Sequence, residues 1–394
     1  AWVNGFRLAD PMANEMVTLS DIVSHRTGLS RNDALWYNTL WTREEILQRI
    51  AEVPLSRPFR SAYQYQNIMF LAAGEAVARR AGTSWEQFVS KRILEPLGMT
   101  NTGFSPADAL ASADVASPHV RRKGAVVETP WKDITNIGPA GSMNSCVRDL
   151  ARWVTLHLNR GVFEGRRLVS EKELAETHTP QTVIHEDAQS REVNPDSHIN
   201  VYGLGWRLQD YRGRFLISHG GAIDGFRAQV AFLPDEKWGI VVLTNLGQTG
   251  LADALRFALI DALLDLPRKD WSSIFLTAAK KQEEQAAARR KERIAKRAHG
   301  ARPALPLSAY AGVYENPGYG RVTIKAVDDT LTLAWGGHTV RLHHWHYETF
   351  ETPEDSMPLE LTSVTFRLGR DGEAAGLEFL DQEFKRVPEP GEKK

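Results

Sequence analysis

Two short apolar runs, residues 228–233 and 239–244, lie on either side of the polar turn Pro234-Asp235-Glu236. Apolar runs of this length around a turn predict a β-hairpin in an antiparallel sheet. Residues 217–222 form a preceding strand that ends in the small residues Gly220-Gly221-Ala222. Because glycine has no Cβ, a ligand can approach such backbone closely. The pattern therefore predicts a strand end that lies open to a ligand.

Elsewhere in the first two thirds of the chain, apolar residues recur at the three- and four-residue spacing of amphipathic helices. This spacing predicts helices over residues 44–53, 68–81, 85–94, 150–158 and 251–266. Ser84 is a plausible N-cap for the third helix, and Ser142, Asn144 and Ser145 are candidate caps for the fourth. The last helix is strongly apolar on one face, so we expect it to lie against the sheet.

The composition changes at residue 278, where Lys, Arg, Glu, Gln and Ala take over until residue 298. Such a segment predicts a solvated helical connector, and its interspersed glutamates argue against a nucleic-acid-binding arm. Beyond it, period-two alternation in residues 322–325, 330–333 and 364–367 predicts an all-β domain. We therefore divide the chain into a mixed α/β domain, a charged connector and a C-terminal β domain, with the boundaries 1–268, 269–302 and 303–394.

The composition excludes several classes of protein. The net charge of -1 gives no bulk attraction to nucleic acid or to an anionic membrane. No apolar run approaches the roughly 18 residues that a membrane-spanning helix needs. The single cysteine, Cys146, excludes an internal disulfide and a multi-cysteine metal site.

A series of short segments resembles, in order, the motifs of the β-lactamase-related serine hydrolases. This family holds class C β-lactamases and their penicillin-binding-protein relatives, D-amino-acid peptidases and carboxypeptidases, and family VIII esterases. The matching segments are Thr18 to Leu29 (TLSDIVSHRTGL), Tyr65-Gln66-Asn67, Glu95 to Thr100 (EPLGMT), Pro139 to Ser142 (PAGS), Tyr202 to Trp206 (YGLGW) and His219-Gly220-Gly221. Residues 307–387, with His344-Trp345-His346-Tyr347, resemble the lipocalin-like C-terminal domain that often follows such hydrolases.

The resemblance implies an α/β (α+β) fold, in which an antiparallel sheet with flanking helices carries a helical subdomain. It also implies that residues 1–268 form an N-terminally incomplete serine hydrolase domain and that residues 303–394 form a lipocalin-like barrel. The activity implied is acyl transfer to water through a serine acyl-enzyme. The substrates would be peptides, with D-residue-containing peptides first, or else esters or β-lactams, and no metal or organic cofactor is implied.

The same resemblance assigns roles to individual residues. Tyr65 matches the tyrosine that takes up the proton of the attacking serine, helped by a lysine ammonium that favours the phenolate. Asn67 matches the amide that orients the acyl group, and the N–H of Ala222 would be half of the oxyanion hole. His219 matches the first position of the Lys-Thr-Gly motif, where it would donate a hydrogen bond toward Tyr65 or the substrate. The open alternatives are a core aromatic for Tyr65 and a histidine satisfied by backbone for His219.

Gly220 and Gly221 fit a strand edge that a substrate backbone approaches closely. The histidines at positions 25, 178 and 185 are not expected to take part in catalysis. His25, with Arg26, is expected to fix the loop before Gly28, and His178 and His185 lie in a polar stretch that indicates surface positions.

The C-terminal histidines are candidate metal ligands, but the sequence favours no metal site there. His343, His344 and His346 include alternate residues that would share one face of a strand. No carboxylate or cysteine pattern completes such a site in the sequence.

The Ser-x-x-Lys motif that supplies the nucleophile in this family has no match, because no lysine in the sequence has a serine three positions before it. Thr129 before Lys132 and Thr277 before Lys280 come nearest, and neither lies in an apolar helix. We therefore expect the nucleophile to be encoded upstream of Ala1 and this chain alone to be inactive. The alternatives are an inactive homologue that serves as a binding module, and a cleaved protein in which the missing segment stays docked as a second chain.

The expected partner is a small-molecule or peptide substrate, with no nucleic acid and no membrane span. The family resemblance favours a periplasmic or secreted location.

Overall fold

The computed structural model describes residue 3 and residues 5–194, 196–354, 359 and 361–388. The helices are α1 Pro11–Met16, α2 Leu19–Val23, α3 Arg43–Ile50, α4 Asn67–Ala81, α5 Trp85–Val89, α6 Glu95–Leu97, α7 Pro106–Leu110, α8 Gly138–Gly141, α9 Val147–Leu158, α10 Glu171–Thr177, α11 Ala188–Val193, α12 Leu251–Leu263, α13 Trp271–Ala295 and α14 Leu307–Tyr310. A π-helical turn, Ser90–Leu94, joins α5 to α6, and short 3₁₀ turns lie at Asp33–Leu35 and Thr135–Ile137.

The strands up to residue 244 are β1 His119–Arg122, β2 Ala125–Glu128, β3 Val162–Phe163, β4 Arg166–Arg167, β5 Thr182–Val183, β6 Asn200–Tyr202, β7 Arg207–Tyr211, β8 Arg214–Ile223, β9 Phe226–Leu233 and β10 Trp238–Thr244. The later strands are β11 Gly312–Asn316, β12 Gly320–Val327, β13 Thr330–Trp335, β14 His338–His346, β15 Thr349–Glu351, β16 Ser363–Leu368, β17 Ala374–Phe379 and β18 Gln382–Val387.

Six of these strands form one antiparallel sheet in the order β10-β9-β8-β7-β6-β5. The predicted hairpin is its β9–β10 pair, in which Leu233 lies opposite Trp238. On one face, α12 and Trp271 pack against Tyr211, Leu216 and Leu233. The opposite face packs its buried side chains against α9, the helix that carries Val154. The central sheet is therefore covered by helices on both faces, as the fold class predicted.

The helical subdomain follows its sequence pattern with one difference. Ser84 caps α5 by accepting a hydrogen bond from the Gln87 backbone N–H, and Gly98 ends the helical run in the left-handed region. The N-cap of α9 is Cys146, whose side chain makes no capping hydrogen bond. The predicted caps Ser142, Asn144 and Ser145 are therefore wrong: the Asn144 amide donates to the Ser142 carbonyl and the Ser145 hydroxyl bonds that of Thr102.

A hydrogen-bonded pair of histidines lies under the sheet: His157 is buried and His178 is half-buried, less exposed than the surface position predicted for His178. His157 of α9 places its Nδ1 3.0 Å from the Nε2 of His178, among the rings of Trp153, Trp206 and Phe232. Burial lowers the pKa of His157 to about 3 and that of His178 to about 4. Both imidazoles are therefore neutral at pH 7. His185 is exposed, as predicted.

Strands β11 to β18 close into an eight-stranded antiparallel barrel, sealed where β11 pairs with β18. Its alternating inward positions are filled by large side chains such as Tyr314, Trp335, Phe350 and Phe379, all buried. The C-terminal β domain is thus a closed barrel, and its lipocalin-like character stays a prediction.

The chain divides into two compact units that do not follow its linear order. The first unit holds mainly residues 15–31 and 55–285, with the six-stranded sheet. The second holds the barrel together with residues 32–54. Within this second unit, Trp41 contacts Trp335 edge-on at 5.4 Å, and the Tyr319 hydroxyl donates to Asn32. The predicted boundaries at residues 268 and 302 remain predictions.

Candidate functional site

The end of β8 forms an open backbone edge. Strand β7 pairs with β8 only as far as Arg207 opposite Ser218, whereas β9 accompanies β8 to Ile223 opposite Phe226. Among the described residues, the stretch from His219 to Ile223 therefore has a strand partner on one side only. Gly220, Gly221 and Ala222 are exposed there. A substrate backbone can lie along this edge.

Tyr65 lies next to this edge, immediately before α4. The residue between it and Asn67 is Gln66, which is fully buried and caps the helix by accepting from the Ile68 backbone N–H at 2.9 Å. The ring centroids of Tyr65 and His219 are 6.4 Å apart. Tyr65, Asn67, His219 and the glycine tract, which the motifs singled out, are therefore brought to one region.

His219 makes two hydrogen bonds that differ from the expected one toward Tyr65. Its Nδ1 lies 2.8 Å from the Gly220 carbonyl oxygen, and its Nε2 lies 2.9 Å from the Tyr202 hydroxyl. Burial lowers the pKa of His219, although the Gly220 carbonyl opposes this, and the Arg207 charge lowers it further. The imidazole is therefore neutral near pH 7, with both nitrogens engaged.

His25 supports Tyr65 from beneath. It is fully buried, its ring lies 4.3 Å from that of Tyr65, and its Nδ1 accepts from the Gln66 backbone N–H at 3.1 Å. Burial lowers its pKa to about 3, and the His219 and Arg31 charges add to this. His25 also accepts a backbone bond from Gln64, which agrees with its predicted role in fixing the loop.

Beside His25, Arg26 binds the buried carboxylate of Asp21 at 2.6 Å. Burial alone would raise the pKa of Asp21, but hydrogen bonds from Arg60, Thr18 and Arg26 outweigh it and hold that pKa well below its usual range. The segment before Gly28 is thus fixed by an ionised carboxylate between two guanidinium groups.

Two exposed arginines place positive charge beside Tyr65 and Tyr63. The Arg31 guanidinium lies 5.2 Å from the centroid of the Tyr65 ring. Arg207 hydrogen-bonds Tyr63, whose pKa burial nevertheless raises to about 12. The sequence motifs did not assign a functional role to Arg31, Arg207 or the buried Tyr202. Tyr202 was the one of these three that lies in a matched motif, as the first residue of the Tyr-Gly-Leu-Gly-Trp segment.

Two of the C-terminal histidines of β14, His344 and His346, bond backbone groups. His344 Nε2 lies 2.8 Å from the Tyr347 carbonyl oxygen, and His346 Nδ1 accepts from the Ala298 N–H. In the described part of the chain, no group of three or more histidine, cysteine or acidic residues is placed to hold a metal ion. Over the same residues, no helix combines the length and apolar character needed to cross a bilayer.

The fold and these motifs define a family. The Beta-lactamase family model matches residues 4–264, which is more than half of the chain. The chain therefore belongs to the Beta-lactamase family of serine hydrolases, the β-lactamase and penicillin-binding-protein type, and the predicted family is confirmed. A second model, a domain of unknown function (DUF3471), matches residues 296–393.

Among curated proteins, the chain is similar to unguisins hydrolase ungD of Aspergillus violaceofuscus (strain CBS 115571). The two are 28% identical over 354 residues, which cover 83% of this chain and 62% of the relative. Beta-lactamase-like protein 2 of Dictyostelium discoideum is 24% identical over 57% of this chain and 39% of its own length. The chain thus spans about three fifths, or less, of these relatives.

Solved structures share the fold. The octameric penicillin-binding protein homologue from Pyrococcus abyssi superposes with a TM-score of 0.53 at 18% identity, over 97% of this chain and 83% of that one. D-amino acid amidase from Ochrobactrum anthropi SV3, complexed with D-phenylalanine, gives a TM-score of 0.51 at 19% identity, over 65% and 74%. The predicted fold class is confirmed.

Proposed function

We propose that the protein is a serine hydrolase that works through an acyl-enzyme. The observation that carries this proposal is the convergence of Tyr65 and His219 beside the exposed end of β8, in a chain of this family. Tyr65 would take up the proton of the attacking serine, and Asn67 would orient the acyl group. The N–H of Ala222 would bind the developing oxyanion.

The proposed substrates are amides of short peptides, with a D-residue next to the bond that is cut; esters and β-lactams come second. The preference for a D-residue is supported by two solved structures that share the fold, a D-amino acid amidase and a D-stereospecific amidohydrolase. The curated relative ungD is a hydrolase of unguisins. An exposed glycine-rich edge accommodates such compact acyl groups, because no side chain projects from it at Gly220 and Gly221.

The attacking serine is proposed to lie outside these 394 residues. In this sequence, no lysine follows a serine by three positions. Thr129, which precedes Lys132 by three positions, lies outside the helices. Thr277, which precedes Lys280 by three positions, lies at an exposed position of helix α13. The isolated 394-residue chain is then expected to bind substrate without turning it over. Export from the cytoplasm remains a prediction from the family resemblance, and a docked second chain remains a prediction from the missing Ser-x-x-Lys motif.

The test compares the full gene product with the 394-residue chain. A fluorophosphonate probe, followed by mass spectrometry, should label one serine of the full product and none of the isolated chain. Failure to label the full product would favour the alternative, a binding module that has lost the chemistry.

Activity is measured on D- and L-phenylalanine amide, p-nitrophenyl acetate and a chromogenic β-lactam. In the full product, Tyr65→Phe should lower kcat/KM by about 10²–10⁴-fold, the usual contribution of a positioned acid–base group. Tyr347→Phe, at an exposed position in the barrel, serves as the matched control and should leave kcat/KM unchanged. Tyr65-dependent hydrolysis by the isolated chain would contradict the proposed position of the nucleophile.

A further inference from the structure

The direction of the backbone groups on the open edge of β8 follows from the register. Ile223 and Phe226 close a two-residue hairpin, so they form a hydrogen-bonded pair, and such pairs alternate along an antiparallel ladder. The N–H and C=O groups of Gly221 and Ile223 therefore face β9. Those of Gly220 and Ala222 face the opposite side, where β7 has ended. The carbonyl of Gly220 thus points to the edge along which a substrate would lie.

The proton positions on His219 follow from its partners. A carbonyl oxygen only accepts, so the 2.8 Å contact with Gly220 requires a proton on Nδ1. In a neutral imidazole Nε2 then carries a lone pair, which accepts from the Tyr202 hydroxyl at 2.9 Å. Tyr202 is buried, and burial raises its pKa well above the ordinary value, so its hydroxyl keeps the proton that it donates.

We propose that Tyr202 is a positioning residue that holds His219 in its Nδ1–H tautomer, so that the imidazole caps the Gly220 carbonyl on the open edge of β8. The chain of contacts is continuous. Tyr202 lies opposite Arg207 in β6–β7, and Arg207 lies opposite Ser218, the residue before His219. The His25 ring packs against Tyr202 at 4.8 Å and against Tyr65 at 4.3 Å.

This arrangement changes what His219 does in the site. With both nitrogens engaged, it does not supply a proton to Tyr65. A substrate main chain on the edge meets a Gly220 carbonyl with one of its two acceptor positions already taken by His219. The C=O of Ala222 is the next acceptor that faces the edge. What this inference says about substrate binding rests on the proposed function. The experiment that tests it does not require the protein to turn over a substrate.

The test is ¹⁵N NMR of the 394-residue protein labelled at histidine, recorded at pH 7. The His219 signals are identified by their loss in His219→Gln. The expected spectrum shows a protonated Nδ1 and an unprotonated Nε2. Tyr202→Phe removes the donor to Nε2, and the tautomer ratio should shift about fivefold toward the Nε2–H form, as expected for the loss of one hydrogen bond.

Tyr211→Phe is the matched control, because Tyr211 is a buried phenol of β7 that donates to Asp261 instead. It should leave the His219 signals unchanged. A wild-type spectrum with a protonated Nε2 would overturn the proposal even if Tyr202→Phe does not fold. An unchanged ratio in Tyr202→Phe, or an equal shift in Tyr211→Phe, would also overturn it. Failure of serine labelling in the full product would leave this result intact, so the two proposals fail separately.

Discussion

Two hydrogen-bonded groups that contain imidazoles lie at the sheet of the first unit, in contrasting surroundings: the pair His157 and His178, and the single His219. His157 and His178 bond each other among Trp153, Trp206 and Phe232. His219 bonds the buried Tyr202 on one side and the exposed Gly220 backbone on the other. Burial lowers the pKa in all three histidines. A depressed pKa therefore does not distinguish a site from a core; the exposed backbone beside His219 does.

The largest difference between the two regions should appear in stability. His157→Ala removes a buried ring and leaves His178 without its partner, so we expect a loss of about 3 kcal/mol in the free energy of unfolding. His219→Ala, at a half-buried strand end, should cost about 1 kcal/mol. Urea unfolding at pH 7 measures both. Equal losses would mean that the two imidazoles are packed alike.

Two glycines sharpen the same contrast. A Cβ on Gly239 would lie 2.2 Å from Cγ1 of Val154, on the helix that carries His157, so Gly239→Ala should cost about 2 kcal/mol through overpacking. A Cβ on Gly220 would lie 2.9 Å from the Nε2 of Gln229, the end of a flexible side chain, and 3.4 Å from the Ala228 carbonyl oxygen, which is an ordinary contact distance. Gly220→Ala should therefore cost less than about 1 kcal/mol. Thermal unfolding of both variants measures the two losses of stability. A larger loss of stability for Gly220→Ala than for Gly239→Ala would contradict this comparison.

The effect that develops most gradually is a pH dependence. The folded pKa of His178, about 4, lies below the ordinary value of 6.5, so the unfolded chain binds more protons between these values. Stability is then complete above about pH 6.5 and falls as the pH drops, by about 1.4 kcal/mol per unit for each such histidine. His178→Gln should reduce this slope between pH 6.5 and 5 by about that amount. His185→Gln, at an exposed position, should leave it unchanged, and urea midpoints across the range measure both.

Much of the fold was predictable, because strand and helix patterns report burial directly. The β9–β10 hairpin, α4 and the barrel strands all follow local periodicity. The caps of α9 were not predictable, since several polar residues precede Val147 and only the packed structure selects Cys146. The partial burial of His178 was not predictable, because its local sequence is polar and the side chains that cover it, such as that of Phe232, are distant in sequence.

The sequence motifs predicted which residues belong to the candidate site, but they did not predict the hydrogen bonds between those residues. The Tyr65 and His219 motifs indicated one region, and the rings lie 6.4 Å apart. The bonds of His219 were not predictable, because they depend on the register that ends β7 at Arg207 and on the depth at which Tyr202 is buried. Arg31 carried no motif signal, and its place over Tyr65 arises from the fold of the loop after Gly28.

The grouping of residues 32–54 with the barrel has a consequence for biosynthesis. This segment leaves the ribosome long before residue 286, where the remainder of its unit begins. Until then Trp41 has no Trp335 to contact, and Val53 has no Gly318 turn against which to lie. A nascent chain must therefore carry these apolar side chains uncovered while the intervening sheet is translated. If the chain were released before the barrel is synthesised, the side chains of Trp41 and Val53 would stay exposed as an apolar surface prone to aggregation.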